Sequence, residues 1–240
     1  MIASHSPPLA VKIWGDFACF TRPEMKVERV SYDVMTPSAA RGILEAIYWK
    51  PEMRWVVDTI RVLKPIRFTQ IRRNEISEKI PLKGASGAQK AMKEGKGSLG
   101  LNVADVRQQR AAMVLRDVRY GIEAHIEVLS ADEGPSPEAK HLEMFKRRAS
   151  RGQYFHHPYL GVREFPAEFR LVESFGDPPD DLLGERTLGY MLNDIEFTPS
   201  KKGEVIEAHQ GRRVTATPRF FQAVMHDGVV KVPPLAQGRA

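Results

Sequence analysis

Residues 113–129 constrain the fold more than any other stretch of the chain. Val118, Tyr120, Ile122, Ala124, Ile126 and Val128 alternate with Arg119, Gly121, Glu123, His125 and Glu127. A strict period of two is a strand signature, and apolar residues on one parity with polar ones on the other mean one covered face and one wet face. The chain must therefore build a sheet and supply helices for its apolar side. Two helices are predicted. Thr36-Pro37 offers an N-cap with proline at the first helical position, and Ala40, Ile43, Leu44, Ile47 and Tyr48 recur at helical spacing until Pro51. Ser136-Pro137 opens the second helix, which buries Ala139, Leu142, Phe145 and Ala149 and stops at Gly152.

Strands are expected at 11–20, with a kink at Gly15, at 55–71, interrupted by Pro65, and near Tyr159–Phe165. The order strand, helix, strand, strand, helix, strand predicts an α+β fold, with a ferredoxin-like unit over residues 1–165. That unit carries a basic insertion near 72–112. Within it, residues 84–100, with five glycines and three lysines, read as a loop. From 166 to 240 the chain reads as short strands (169–172, 187–197, 204–208, 219–226, 229–232) divided by Gly, Pro and Asp turns. This is a smaller antiparallel β-domain with a loose tail.

Charge is distributed by region. The 240 residues carry a net charge of +6, yet 61–96 alone holds ten Lys or Arg against three Glu. Residues 164–185 hold seven acids against Arg170. A directional positive field favours a polyanionic partner. The single cysteine, Cys19, excludes an internal disulfide, and no window is apolar enough for a membrane span. A reducing, cytoplasmic setting without membrane contact is expected.

No glycine has phosphate-loop spacing, and the adjacent His156 and His157 would point to opposite faces of a strand, so no metal or cofactor is predicted. His125 lies on the polar parity of its strand, between Glu123 and Glu127. It reads either as a solvated surface histidine or as a general acid or base. Tyr48 reads either as a core aromatic closing the first helix or as a phenol reaching a cleft, with Arg41 near the same face. Lys146, Arg147, Arg148 and Arg151 complement the helix dipole, but with Gly152, Tyr154 and Phe155 they also form the charged and aromatic mixture that binds single-stranded RNA. Arg72, Arg73, Arg107, Arg110, Arg116 and Arg119 extend that basic surface.

The blocks KIWGDFACFTRPEMKVERVSYDVMTPSAARGILEAIYWKPEMRW, RVLKPIRF, LRDVRYGIEAHIEV and HHPYLGVREFPAEF closely resemble the CRISPR-associated RAMP-superfamily subunit of subtype I-C systems. The resemblance covers most of residues 11–232. It implies an endoribonuclease that cuts the repeat hairpin of precursor CRISPR RNA without metal. It also implies that the enzyme stays on the 5′ handle beside the backbone and large subunits of the Cascade complex. Relatives in other subtypes hold the handle without cutting, which is the alternative. The resemblance places Tyr48 and His125 in the active site. Its members also use a lysine near the histidine. Here Glu123 and Ala124 precede His125, which leaves Lys50, Arg116 or Arg119 to supply that charge.

Overall fold

A computed structural model describes residues 4–25, 27–80, 82, 87–95, 102–129, 136–199, 206–208 and 212–239. Among these, ten strands join one sheet: β1 (Ser4–His5), β2 (Leu9–Ala18), β3 (Met53–Val62), β4 (Phe68–Ile76), β5 (Arg107–Val128), β6 (Glu168–Val172), β7 (Glu185–Pro199), β8 (Ile206–Ala208), β9 (Arg212–His226) and β10 (Val229–Lys231). Four α-helices accompany them: α1 (Pro37–Ile47), α2 (Ala88–Glu94), α3 (Val103–Val106) and α4 (Pro137–Ser150).

The alternating segment is the centre of the sheet. Its last half lies between β2 and β3, antiparallel to both, while its first half forms a hairpin with β4. It begins at Arg107, six residues before the alternation becomes legible. Arg107–Ala112 have no apolar stripe of their own and are strand because β4 pairs with them. The main path runs β6-β2-β5-β3-β10-β9-β7.

Helices α1 and α4 cover one face. Thr36 Oγ1 accepts from Ala39 N (3.3 Å), and Ala40, Ile43, Leu44 and Ile47 are buried as expected. Trp55 of β3 meets Phe145 of α4 edge to face at 4.7 Å, so indole and phenyl rings fill the space between sheet and helices. Three expectations change here. Ala139 is exposed, and His141 takes the buried position, because the stripe of α4 turns toward a hydroxyl on the neighbouring helix. Tyr159–Phe165 is a tight loop (Leu160 N to Phe165 O, 2.8 Å) and the edge strand follows at 168–172. Residues 88–94, read as loop, form α2, while 84–86 and 96–100 of that stretch lie outside the described residues.

The C-terminal strands pair onto the same sheet. Val229–Lys231 pair with Thr59–Arg61, and β7 and β9 form a long hairpin beyond them. Strand β6, which follows residue 166, pairs with β2 of the N-terminal part.

Candidate active site and nucleic-acid interface

His125 is on the face of the sheet opposite the helices. Its register partner Val56 shares that face, whereas Trp55 and Ile126 point to the core. Next to it, β3 carries a bulge. Pairing steps from Val57–Ala124 to Thr59–Glu123 and leaves Asp58 as the extra residue. The bulge is held from the other side by Val232 N, which donates to Asp58 O (2.9 Å). Freed from the pleat, the Asp58 carboxylate meets His125 Nδ1 at 2.9 and 3.0 Å. An ionised carboxylate only accepts, so the geometry places a proton on Nδ1 and leaves Nε2 for exchange. Nε2 lies 3.9 Å from Glu127 Oε1, and the His125 side chain is 21% exposed.

Arg54, opposite Glu127 on β3, ion-pairs with it and keeps half of its side chain exposed. Together these residues line a cleft of about 690 Å³ along the part of β3 that β10 does not cover. Its far wall comes from Asn193–Phe197 of β7 and Val232–Leu235.

Arg41, expected as an RNA contact, closes one end of this cleft. Its Nε and Nη2 donate to the two oxygens of Asp194 (2.6 and 2.8 Å), and Nη1 donates to Glu45 (2.6 Å). Burial disfavours its charge, but the Asp194 and Glu45 carboxylates outweigh burial and hold the guanidinium more firmly protonated than usual. Arg41 therefore ties α1 to β7. With Arg41 and Arg54 set against Glu45, Asp58, Glu127, Asp194 and Glu196, the lining is richer in acids than in cations.

Tyr48 does not meet His125. It is the C-cap of α1, 3% exposed, on the helix-covered side of the sheet. Its hydroxyl lies 2.8 Å from Nδ1 of the fully buried His141, and its carbonyl accepts from Trp55 Nε1 (2.9 Å). Arg148 lies over the Tyr48 ring (5.5 Å) and donates to Ile47 O (3.2 Å), so it closes the end of α1. Lys50 is exposed in the turn that enters β3.

The other expected RNA contacts fall into two groups. Arg73 is engaged with Glu75 and Glu164 (2.8 Å each), Arg110 lies 3.6 Å from Glu75, and Lys146 pairs with Glu143 (3.3 Å). Arg72, Arg107, Arg116, Arg147 and Arg151 are exposed, with no ion pair to a described residue. At Gly152 the backbone takes φ +65°, a left-handed turn that ends α4 and presents Tyr154 (43% exposed) and Phe155 (85% exposed) beside Arg147 and Arg151. Arg119 lies on the same face as His125, six residues away along β5, or about 20 Å at strand rise.

Sequence reasoning missed Asp58, Arg54 and the Asp194 clamp. Asp58 looks like one polar residue in an apolar strand, and only the bulge and the β10 contact turn it toward His125. The alternation of Arg54, Val56 and Asp58 with Trp55 and Val57 was the available signal. Among the described residues, no three His, Cys, Asp or Glu side chains converge closely enough to hold a metal ion.

Comparison with known proteins fits this architecture. The family model Cas_Cas5d, described as CRISPR-associated protein (Cas_Cas5), matches residues 9–233. A protein of Mannheimia succiniciproducens named CRISPR pre-crRNA endoribonuclease Cas5d is 51% identical over 230 residues, spanning 94% of this chain and 95% of its own. A protein of the same name from Thermus thermophilus is 43% identical over 229 residues, spanning 94% and 91%. Among solved structures, the functionally uncharacterized protein SMU1763c from Streptococcus mutans superposes with a TM-score of 0.65 at 20% identity, covering 99% of this chain and 97% of that one. A structure described as a CRISPR-associated protein gives 0.62 at the same identity and coverage. Solved structures this distant establish the fold alone, but the family match and the two relatives span nearly the whole chain, and it belongs to the Cas5d family of CRISPR-associated proteins.

Proposed function

We propose that this protein is a pre-crRNA endoribonuclease that cuts CRISPR repeat RNA without metal, and that His125 is the centre of the reaction. The observation that carries the assignment within the cleft is the Asp58–His125 pair, a solvent-accessible imidazole held by a carboxylate. The two relatives bearing that enzyme name support the reaction class. The 2′-hydroxyl at the scissile nucleotide attacks its own phosphate as the bond to the 5′-oxygen breaks, giving a 2′,3′-cyclic phosphate and a 5′-hydroxyl. His125 Nε2 moves the proton, Asp58 fixes the tautomer and ring orientation, and Arg54 turns from Glu127 toward the phosphate. Arg54 thereby takes the part for which Lys50, Arg116 or Arg119 stood as candidates. Tyr48 contributes by fixing the end of α1 through His141.

The proposal extends to the scaffold and partners. The strand order β6-β2-β5-β3 with α1 and α4 on one face supports a ferredoxin-like unit. Strands β7–β10 are its β-rich extension, with the division expected near residue 166 displaced to follow β6. After cutting, the protein holds the 5′ handle beside the other Cascade subunits in the cytoplasm. One observation favours a second reading, a handle-holding subunit that does not cut: the acid-rich lining of the His125 cleft repels phosphate.

The deciding experiment is cleavage of the cognate repeat RNA in EDTA by wild type, His125→Ala and Asp58→Asn, with binding measured in parallel. Cutting by wild type that His125→Ala loses while still binding RNA supports the enzyme. Tight binding without cutting by wild type establishes the second reading. Cutting that survives a 2′-deoxy substitution at the scissile position overturns the chemistry.

A further inference from the structure

Away from the His125 cleft, the open face of the sheet has a composition that neither cleavage nor folding accounts for. Two rows of side chains cross it. In one, Arg170 of β6, Lys12 of β2, Gly121 of β5 and Arg61 of β3 are register partners. In the other, Glu168, Trp14 and Arg119 are partners across the same three strands, β6, β2 and β5. Lys12, Trp14, Arg119 and Arg170 line a concavity of about 170 Å³. Trp14 and Lys12 are half-buried and Arg170 is exposed, so an indole lies at the surface of the β-sheet on the face opposite α1 and α4.

None of the three cations in that concavity has an ion pair with a described residue. The Arg119 Nε is fully buried and without a hydrogen-bond partner among them. A buried guanidinium nitrogen left unpaired is costly unless a ligand or water supplies the acceptor. Of the acids near the concavity, Glu168 stands at the edge beside Trp14, Glu123 is occupied by Arg61 (3.0 Å), and Asp117, close enough to Arg119 to feel its charge, is occupied by Lys64. Gly121 adds a further constraint. Any Cβ there would lie 2.5 Å from the Phe175 ring, so glycine admits a second aromatic ring onto the sheet, with the Arg61 guanidinium over it at 5.7 Å. Two surface aromatics interleaved with unpaired cations on an open sheet are the arrangement by which single-stranded nucleic acid is held.

We propose that this face is a separate RNA subsite, in which a base of a single-stranded segment stacks on Trp14 while its flanking phosphates meet Lys12, Arg119 and Arg170. The inference rests on the reading of the chain as an RNA-processing protein and adds a grip about 20 Å from His125 by strand rise along β5. It separates two tasks that the acid-rich cleft cannot combine, since affinity comes from the cationic face and chemistry from the cleft.

The test uses a labelled single-stranded oligoribonucleotide of mixed sequence, with binding followed by anisotropy for wild type, Trp14→Ala, Trp14→Phe and Arg119→Gln across a salt series. Trp14→Ala is expected to weaken binding about tenfold and Trp14→Phe to retain most of it, because either ring stacks. Arg119→Gln is expected to lower the slope of log affinity against log salt by about 0.7, one phosphate on a single strand. A photoreactive uridine in the oligonucleotide should crosslink to the peptide carrying Trp14. Wild type that cuts the repeat hairpin while Trp14→Ala and Arg119→Gln bind as wild type overturns the subsite and leaves the nuclease intact. Wild type that neither binds nor cuts RNA overturns the underlying function instead. Crosslinking in wild type together with loss in Trp14→Ala and rescue in Trp14→Phe excludes simple misfolding as the cause.

Discussion

Two histidines face away from each other across one sheet, and their surroundings assign them opposite work. His125 stands on the open face with a carboxylate on Nδ1 and a fifth of its side chain in solvent. His141 is fully buried under the helices, with the Tyr48 hydroxyl on Nδ1. A carboxylate partner stabilises an imidazolium as it forms, while solvent access lets the proton leave and return. The Tyr48 hydroxyl is a neutral partner, and His141 is closed off from solvent. Under the proposed reaction, the same side chain carries a proton on one face and packs between the helices and the sheet on the other. The difference comes from the partner and the cover, not from the residue type.

The strongest way to break this comparison is His125→Ala. Its cleavage rate is expected to fall about 10²–10⁴-fold in single-turnover assays with the melting temperature unchanged. A large drop in melting temperature would put His125 with the packing histidine. Tyr48→Phe comes next and tests the covered side. Loss of the hydroxyl from His141 should cost about 1–3 kcal/mol of stability in urea titrations, with cleavage preserved below the new melting point. Loss of cleavage at unchanged stability would instead bring Tyr48 to the reacting phosphate. Asp58→Asn sharpens the open side. An amide presenting its NH₂ to Nδ1 favours the wrong tautomer, so cleavage should fall about tenfold, with a changed pH–rate profile that a purely structural residue would not produce.

The smallest effect concerns how firmly the covered side excludes charge. Tyr120, on the covered parity of β5, has its phenol raised well above the usual value, chiefly by burial. A group whose pKa is raised on folding contributes stability that is complete below its unfolded value of about 10 and is lost as pH rises beyond it. Urea midpoints should therefore fall between about pH 9 and pH 11, and more steeply in wild type than in Tyr120→Phe. Equal slopes would mean that the covered side admits hydroxide as readily as the open one.

The parts of this molecule that were legible beforehand are those whose pattern is local. The core half of β5 declares itself because its alternation is intrinsic, and α1 because Thr36-Pro37 and an apolar stripe suffice to start and bury it. Arg107–Ala112 were silent because their strand character belongs to the pairing with β4. The centre of the site was half legible. His125 is visible as a polar-parity histidine, but Asp58 turns to it through a bulge held by Val232, more than 170 residues downstream. Arg41 and Arg73 illustrate the converse. Their charge was legible and their engagement with Asp194 and Glu164 was not, since those carboxylates arrive from β7 and from the loop before β6.

That late-arriving support has a consequence during synthesis. Strand β3 leaves the ribosome with one edge ready for β5, but its other edge waits for Val229–Lys231, about 170 residues later. At about 5–20 residues per second that wait lasts roughly ten to thirty seconds. For that interval an unpaired, β-branched edge stands open to other chains. The Asp58–His125 pair also cannot be held from both sides until Val232 has been made. The nascent protein therefore acquires its hydrophobic centre early and the Asp58–His125 geometry late, and a chain stalled before Val229 would be collapsed and adhesive, without the support that turns Asp58 toward His125.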